Sequence, residues 1–471
     1  MVQHDVRPTD DGDLLRVLDS AHLTALRWMH GISERDIPAS ATVDEVEAAL
    51  GAALPVMGEE PVEVLRHLAD AVEPGLMVSQ SPRFYGWVMG GTYPVALGAD
   101  WLTSAWDQNA GLREVTTGVV AAEDIAGRWI LELLGLPPES DVGFTTGATM
   151  ANFTCLAAAR TRVLANEGWD VAAQGLTGAP RVRVFVGAER HGSVDLALSL
   201  LGLGVPTIIA VDDEGRIRAD ALADELQRAA GPTIVILQAG NIHSGAFDPF
   251  GDAIEAARHA GAWVHIDGAF GLWAAAGPTT RHLLDAAATA DSWASDAHKT
   301  LNVPYDCGVA IVRDTSALRS TMGMHASYLF ATTSDAADPH ERVPELSRRA
   351  RGVPVWATLR SLGVDGVHAL VDGLARAASD LSRELSALPG LTVLNDVVFT
   401  QVCVACASDE ATRALGERLR ADGDAFASSS RWHDRDVLRF SVSNALTDAQ
   451  AVADTVSAVS RALARSDSTL R

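Results

Sequence analysis

The sequence predicts an α/β protein built on a mainly parallel sheet, preceded by helices and followed by an α+β domain. Three observations predict it. Short apolar runs recur through the middle of the chain: RVRVFVGAE at 181–189, PTIIAV at 206–211, TIVILQAG at 233–240, AWVHIDGA at 262–269 and CGVAIVRD at 307–314. Helical patterns alternate with several of them, as in SVDLALSLL at 193–201, ADALADELQRAA at 219–230 and DAIEAARHAG at 252–261. The runs read as largely continuous apolar stretches, as strands buried on both faces of a sheet do.

The elements follow in order. Residues 11–29 and 43–73 carry apolar residues at helical spacing, so 1–80 reads as an N-terminal helical segment. The stretch from Ser81 to Pro94, SPRFYGWVMGGTYP, is rich in glycine and aromatics and reads as a pocket-lining loop, with Trp87, Gly90 and Gly91 as candidate substrate contacts. A long helix is predicted from about Leu112 to Leu136, and the strands after it complete a large α/β domain over 81–352. From about Pro354 the character shifts. VWATLRSLG and GVHALVDGLARAASDLSRELSAL are helical, LTVLNDVVFTQVCVACA and DVLRFSVSN are strand-like, and TDAQAVADTVSAVSRALA is a final helix. Residues 353–471 therefore form the α+β C-terminal domain.

Composition narrows the class. At 471 residues, 48% of them apolar and 21% charged, the chain is globular and long enough for about two to four domains. A net charge of -24 argues against a nucleic-acid partner and against an anionic membrane surface. The first residues lack the basic and apolar regions of a signal peptide, and no run of about 18 apolar residues stands out, so a soluble cytoplasmic protein is expected. Four cysteines are too sparse for a disulfide framework. Cys403 and Cys406 are spaced C-x-x-C but lie in a β-branched apolar run, and they read as buried strand residues rather than a metal or redox pair. No metal site is expected.

Chemistry is sought at the carboxyl ends of the strands, where sheets of this type place their ligands. FTTGATMAN, 144–152, leads into an alanine-rich helix. Gly147, Thr149 and the free N–H groups of the helix start suit an anion, although an ordinary capped helix has the same look. His191 follows the strand at 181–189, where it can stack on a planar cofactor, act as acid or base, or be structural. Asp267 ends WVHID, where a carboxylate is costly without a partner. A protonated pyridine nitrogen is one such partner, and Gly268 and Ala269 would leave a flat face for the ring. A salt bridge or a metal are the alternatives. Lys299, in WASDAHKTLNVPYDCG, is the only lysine in the chain and lies between apolar segments, so an imine-forming lysine is a stronger reading than a surface one. His298 beside it is a candidate modulator, and Asp296 belongs to the same cofactor-binding set. An anion cradle, a stacking histidine, a carboxylate for a ring nitrogen and an imine lysine together meet the needs of pyridoxal 5'-phosphate (PLP).

These motifs carry a resemblance. From about Pro82 to the C-terminus the sequence resembles the group II PLP-dependent decarboxylases of fold type I, the aspartate aminotransferase-like fold, which include aromatic-L-amino-acid, glutamate and tyrosine decarboxylases. HIDGAFG is similar to the family's strand ending in the pyridine-binding aspartate, with Ala269 under the ring. DAHKTLNVPYDCG resembles its His-Lys signature. The resemblance gives Ala148 and Thr149 the phosphate loop, His191 the ring face, and Asn241 and His243, in GNIHSGAFDPF, places beside the cofactor. It implies decarboxylation of an L-amino acid through Lys299, with His191 as a proton carrier, and a homodimer with active sites at the subunit interface.

The departures matter as much. Family members carry a loop tyrosine that protonates the substrate carbon after CO₂ leaves. Here that region, ATTSDAADPHERV, has none. His340 is the nearest titratable replacement and Tyr328 lies upstream. Without that donor the carbanion persists and can react with oxygen to give an aldehyde, or expel a β-leaving group such as the thiol of a cysteine S-conjugate. Relatives in plant, insect and antibiotic pathways, lincosamide biosynthesis among them, do such chemistry. Ser81 stands where many relatives have histidine, Arg113 is placed to read a substrate anion, and Gly90 and Gly91 suggest room for a bulky substrate.

Overall fold

A computed structural model of the chain describes residues 11–228, 230–324 and 336–468. Its centre is a seven-stranded sheet in the order β2-β8-β7-β6-β5-β3-β4. The strands are β2 (Asp141–Thr145), β3 (Arg183–Gly187), β4 (Thr207–Ile209), β5 (Thr233–Gln238), β6 (Trp263–Asp267), β7 (Ser292–Asp296) and β8 (Gly308–Val312). β8 runs antiparallel to both its neighbours, and the pairs from β7 to β4 are parallel. Each apolar run feeds both faces. In β5, Val235 and Leu237 join one core and Ile234 and Ile236 the other, as the two-residue period of a strand requires. Burying each of these side chains is worth roughly 1.5–3 kcal/mol, so the sheet's central position follows from its composition.

A second sheet, β1-β11-β12-β10-β9, lies in the C-terminal region. It comprises β9 (Leu391–Val393), β10 (Gln401–Cys406), β11 (Phe426–Trp432) and β12 (Arg435–Ser441), joined by β1 (Phe84–Tyr85) from far upstream. The rim segment after Ser81 is therefore tied to both halves of the molecule. Cys403 and Cys406 are free and buried in β10, facing different cores.

Some elements differ from expectation. The helical pattern at 43–73 is two helices, Val43–Leu50 and Pro61–Val72, because Gly51 ends the first with φ 88° and Glu60 caps the second. The helix expected from Leu112 begins at Thr117. The preceding turn is held elsewhere, with Ala110 N–H donating to Arg348 O and Arg113 N–H to Asp338 Oδ1. Helix Gly352–Ser386 breaks at Gly363 (φ 63°), between the two predicted helical patterns. Its first part packs on the core of Ala99 and Val119, and its second on the C-terminal sheet through Leu374, Leu381 and Leu385.

Candidate active site

The carboxyl ends of five strands, β2, β3, β5, β6 and β7, converge on one cavity of about 250 Å³. Gly147, Ala148, Thr149, His191, Asp267, Ala269, Asp296, His298 and Lys299 all line it, and Trp87 lines it from the rim.

At the end of β2 the chain turns directly into helix Ala148–Asn166, whose N-cap, Gly147, offers no side chain to the helix start. Ala148 N–H donates to Asp296 Oδ1 at 2.6 Å. Among the described residues, the N–H groups of Thr149 and Met150 meet no protein acceptor. The Gly147 backbone is approached closely by that of β8. A Cβ on Gly308 would sit 2.4 Å from the Gly147 backbone, whereas one on Gly147 would make ordinary contacts.

His191 caps the next helix, Gly192–Leu200. Its Nδ1 accepts from Ser193 N–H at 3.2 Å and lies 2.8 Å from Ser193 Oγ. A backbone N–H can only donate, so Nδ1 is the acceptor and Nε2 is left for other partners.

Asp267 is 5% exposed. Asn152 Nδ2 donates to its Oδ2 at 3.0 Å, and Ala269 N–H donates to Oδ1 at 3.3 Å. Burial pushes its carboxyl above the usual range, while His191 and Lys299 pull the other way. The carboxylate has no ion pair within the described residues, although it opens onto the cavity.

Asp296, one strand over, is the opposite case. Lys299 Nζ lies 2.9 Å from its Oδ2, with His298 Nε2 3.6 Å away. Cys307 N–H donates to His298 Nδ1 at 3.1 Å, and burial lowers the pKa of that ring. The Lys299 turn is fixed by Asn302, whose amide donates to Lys299 O, Thr300 O and Ser443 O and accepts from the N–H groups of Gly91 and Ala445.

The remaining predicted residues lie outside the cavity lining. Asn241 shapes its own turn and donates to Glu189, while Ile242 between Asn241 and His243 faces the cavity. His243 lies 2.9 Å from Ser430 Oγ and stacks on Trp432, and burial lowers its pKa to about 4. Gly90 and Gly91 make room for protein rather than for a bulky substrate. A Cβ on Gly90 would lie 2.1 Å from Lys299 O, and one on Gly91 would lie 2.5 Å from Asn444 Oδ1. Arg113 is paired with Asp124 at 2.7 Å and donates to Ala337 O. His340 is buried, with its N–H on Gly111 O. Ser81 is buried and receives Arg83 N–H at 3.3 Å. Tyr328 and residues 331–335 of the loop lie outside the described residues.

Sequence reasoning missed Ser193, Gln238, Gly240, Ile242 and Phe270 in the lining, and Asn152, His265 and Asn302 behind it. His265 was findable, since it precedes Asp267 by two residues and so shares its face of the strand.

Residues 44–406 match the pyridoxal-dependent decarboxylase conserved domain. The chain belongs to this family. It is 28% identical over 356 residues to the acidic amino acid decarboxylase of Mus musculus, a match spanning 74% of this chain and 64% of that relative's length. It is 29% identical over 353 residues to the aromatic-L-amino-acid decarboxylase of Bacillus atrophaeus, covering 71% of this chain and 70% of that one. Among solved structures, Oryza sativa TDC with PLP and tryptamine superposes with a TM-score of 0.91 at 22% identity, covering 98% of this chain and 99% of that one, a likeness of fold.

As a member of this family the chain is a PLP-dependent carboxy-lyase of fold type I. The cavity fits the cofactor on two independent grounds. Helix N–H groups without acceptors suit a phosphate, and a buried carboxylate without an ion pair suits a ring cation. Among the described residues no cluster of His, Cys, Asp or Glu could hold a metal ion, and no helix is long and apolar enough to cross a membrane.

Proposed function

We propose that the chain decarboxylates an L-amino acid, with Lys299 carrying PLP through its ε-amine. The observation that carries this reading is the placing of Lys299, Asp267, His191 and Thr149 around one cavity, each on a different strand end. Bound there, the cofactor supplies an electron sink for the bond broken at the α-carbon. The protein's part is positional. Thr149 and the helix start would hold the phosphate beside Ala148, whose own N–H is taken by Asp296, and Ala269 and His191 would flank the ring. Asp267 would keep the ring nitrogen protonated. Asp296 holds the Lys299 side chain at the cavity, Nζ 2.9 Å from its Oδ2, and Nε2 of His191 would return a proton to the substrate. Trp87, which packs on Phe426 at 5.2 Å, forms the apolar wall for the substrate side chain.

The test is an absorbance band of bound cofactor, formed on adding PLP to the apo chain and lost in Lys299→Ala, together with CO₂ and amine release from candidate L-amino acids. A Lys299→Ala chain that keeps both would overturn the reading.

The missing tyrosine between 331 and 343 favours a second outcome at the same site. It is decarboxylation coupled to oxidative deamination by O₂, or β-elimination of a cysteine S-conjugate, in a secondary-metabolite pathway of the lincosamide kind. Incubation under air and under argon separates the outcomes. Amine in both supports plain decarboxylation, whereas aldehyde, ammonia and peroxide formed in air alone support oxidation. Pyruvate and thiol support elimination.

The working form we propose is a cytoplasmic homodimer with its active sites at the interface. An apolar groove of about 990 Å³, lined by Leu102, Trp106, Val115 and Trp356, supports this, because Leu102, Trp106 and Val115 are each at least 40% exposed. Leu102→Asp with Trp106→Asp should convert dimer to monomer in analytical ultracentrifugation, and an unchanged dimer would reject this face.

A further inference from the structure

Behind Asp267 lies a buried polar chain that no step above uses. Trp263 Nε1 donates to Ser292 Oγ at 2.9 Å. Ser292 Oγ lies 2.9 Å from His265 Nδ1, His265 Nε2 lies 2.8 Å from Asn152 Oδ1, and Asn152 Nδ2 donates to Asp267 Oδ2 at 3.0 Å. Asn152, His265 and Ser292 are each 0% exposed, so the chain is sealed from bulk solvent. Three different elements supply the chain: helix Ala148–Asn166 and strands β6 and β7.

We infer that Asn152, His265, Ser292 and Trp263 form a one-way donor relay, and that these positioning residues hold Asp267 as a full carboxylate for the cofactor's ring nitrogen. The direction follows from chemistry at each link. A carboxylate only accepts, so the Asn152 NH₂ faces Asp267 and its carbonyl faces His265. That carbonyl needs a donor, so His265 carries its proton on Nε2. A fully buried ring with no acid beside it is neutral, and its Nδ1 then accepts. Ser292 must donate to Nδ1, and its lone pair takes the indole N–H of Trp263. Every proton in the relay points towards Asp267.

The consequence is electrostatic. The bond from behind comes from a neutral amide, which orients Asp267 without cancelling its charge. A cation in that position would neutralise the carboxylate and leave the ring nitrogen weakly held. A branch from Asn152 Nδ2 to Ser193 Oγ, at 3.5 Å, reaches the residue that also fixes His191, so one amide serves both sides of the ring.

This inference rests on the PLP reading, and its test separates the two. The probes are PLP and 1-deazapyridoxal 5'-phosphate, which lacks the ring nitrogen. Titrated into apo protein, Asn152→Leu and His265→Leu should raise the Kd for PLP about 10- to 100-fold, the usual cost of removing a supporting hydrogen bond behind a binding group. His265→Leu should leave the Kd for the deaza analogue unchanged, Asn152→Leu should weaken PLP more than the analogue because its amide also reaches Ser193, and His265→Gln, which keeps a donor, should recover most of the PLP affinity. Equal losses for both compounds, or none for either, would overturn the relay. Independently, ¹⁵N NMR of histidine-labelled apo wild type should show His265, assigned by its loss in His265→Gln, as the Nε2–H tautomer. An Nδ1–H tautomer overturns the direction even if the leucine variants do not fold. Wild-type protein that binds neither compound would reject the PLP reading instead, leaving the tautomer to be decided by NMR.

Discussion

Asp267 and Asp296 end neighbouring parallel strands, both buried and both on the same cavity, yet they are held in opposite ways. Asp296 is satisfied within the chain, by the Lys299 ammonium at 2.9 Å and the Ala148 N–H at 2.6 Å. Asp267 is held by a neutral amide and a distant backbone N–H, and burial raises its pKa. A buried charge without a counter-ion is expensive, so the protein keeps one carboxylate complete and leaves the other to be completed from outside. The difference is the one that the role proposed for Asp267 towards a ligand cation requires.

The largest effect expected comes from pH acting on the neutral side of this pair. Burial lowers the His265 pKa to about 3 from an ordinary 6.5. The unfolded chain therefore binds a proton between those values that the folded chain refuses. Stability is fully present above about pH 6.5 and is lost as pH falls towards 3, by on the order of 4–5 kcal/mol from this ring alone. Urea unfolding of the apo protein across that range should show His265→Gln with a flatter acid limb than wild type. Parallel limbs would mean that His265 is not the buried neutral ring described.

Asp267→Asn should come next. It removes the charge but not the shape, and turnover should fall about 10³-fold, close to 4 kcal/mol in barrier, while the fold persists. Asp296→Asn is the contrasting change. It should lower apo stability by about 1.5–3 kcal/mol, through the loss of charge-assisted bonds to Lys299 and Ala148, with a smaller effect on turnover. A reversed order of the two effects on turnover would break the comparison.

The smallest effect expected is at the rim. Gly90→Ala places a methyl 2.1 Å from Lys299 O, so the backbone must shift, at about 1–3 kcal/mol. Gly98→Ala, which meets nothing within 4 Å, is the control. Thermal melts of the two variants should separate them. Equal melts would mean that the rim is not packed on the Lys299 turn.

Much of this was legible in the chain. Mostly apolar runs marked β3, β5, β6 and β8, because burial on both faces leaves few polar residues in them. Lys299 and Asp267 stood out because a lone lysine and a strand-end carboxylate are conspicuous in apolar surroundings. Strand β7 was not legible. Its sequence, SWASD, is half polar, and it is buried because Ser292 finds Trp263 and His265 while Ser295 donates to Gly268 O. β11, FASSSRW, escaped for the same reason, and helix Asp409–Asp422 because its mean hydropathy is low. Gly90 and Gly91 were read as open space, since a missing side chain looks alike whether substrate or backbone fills the gap.

The sequence by itself determined the class of sheet, which four polar residues at strand ends to look at and the order in which the strands deliver them, because those depend on local polarity and on which residue ends an apolar run. Tertiary structure alone decided how each carboxylate is paired, which glycines are contacts, and that Asn152 and His265 stand behind Asp267. These depend on partners distant in the chain, 148 residues apart in the bond between Ala148 and Asp296 and farther still where Gly90 meets Lys299 and Gly91 meets Asn444. Hydrogen-bond pairing of buried groups is set by which strands lie side by side, and no local pattern encodes that.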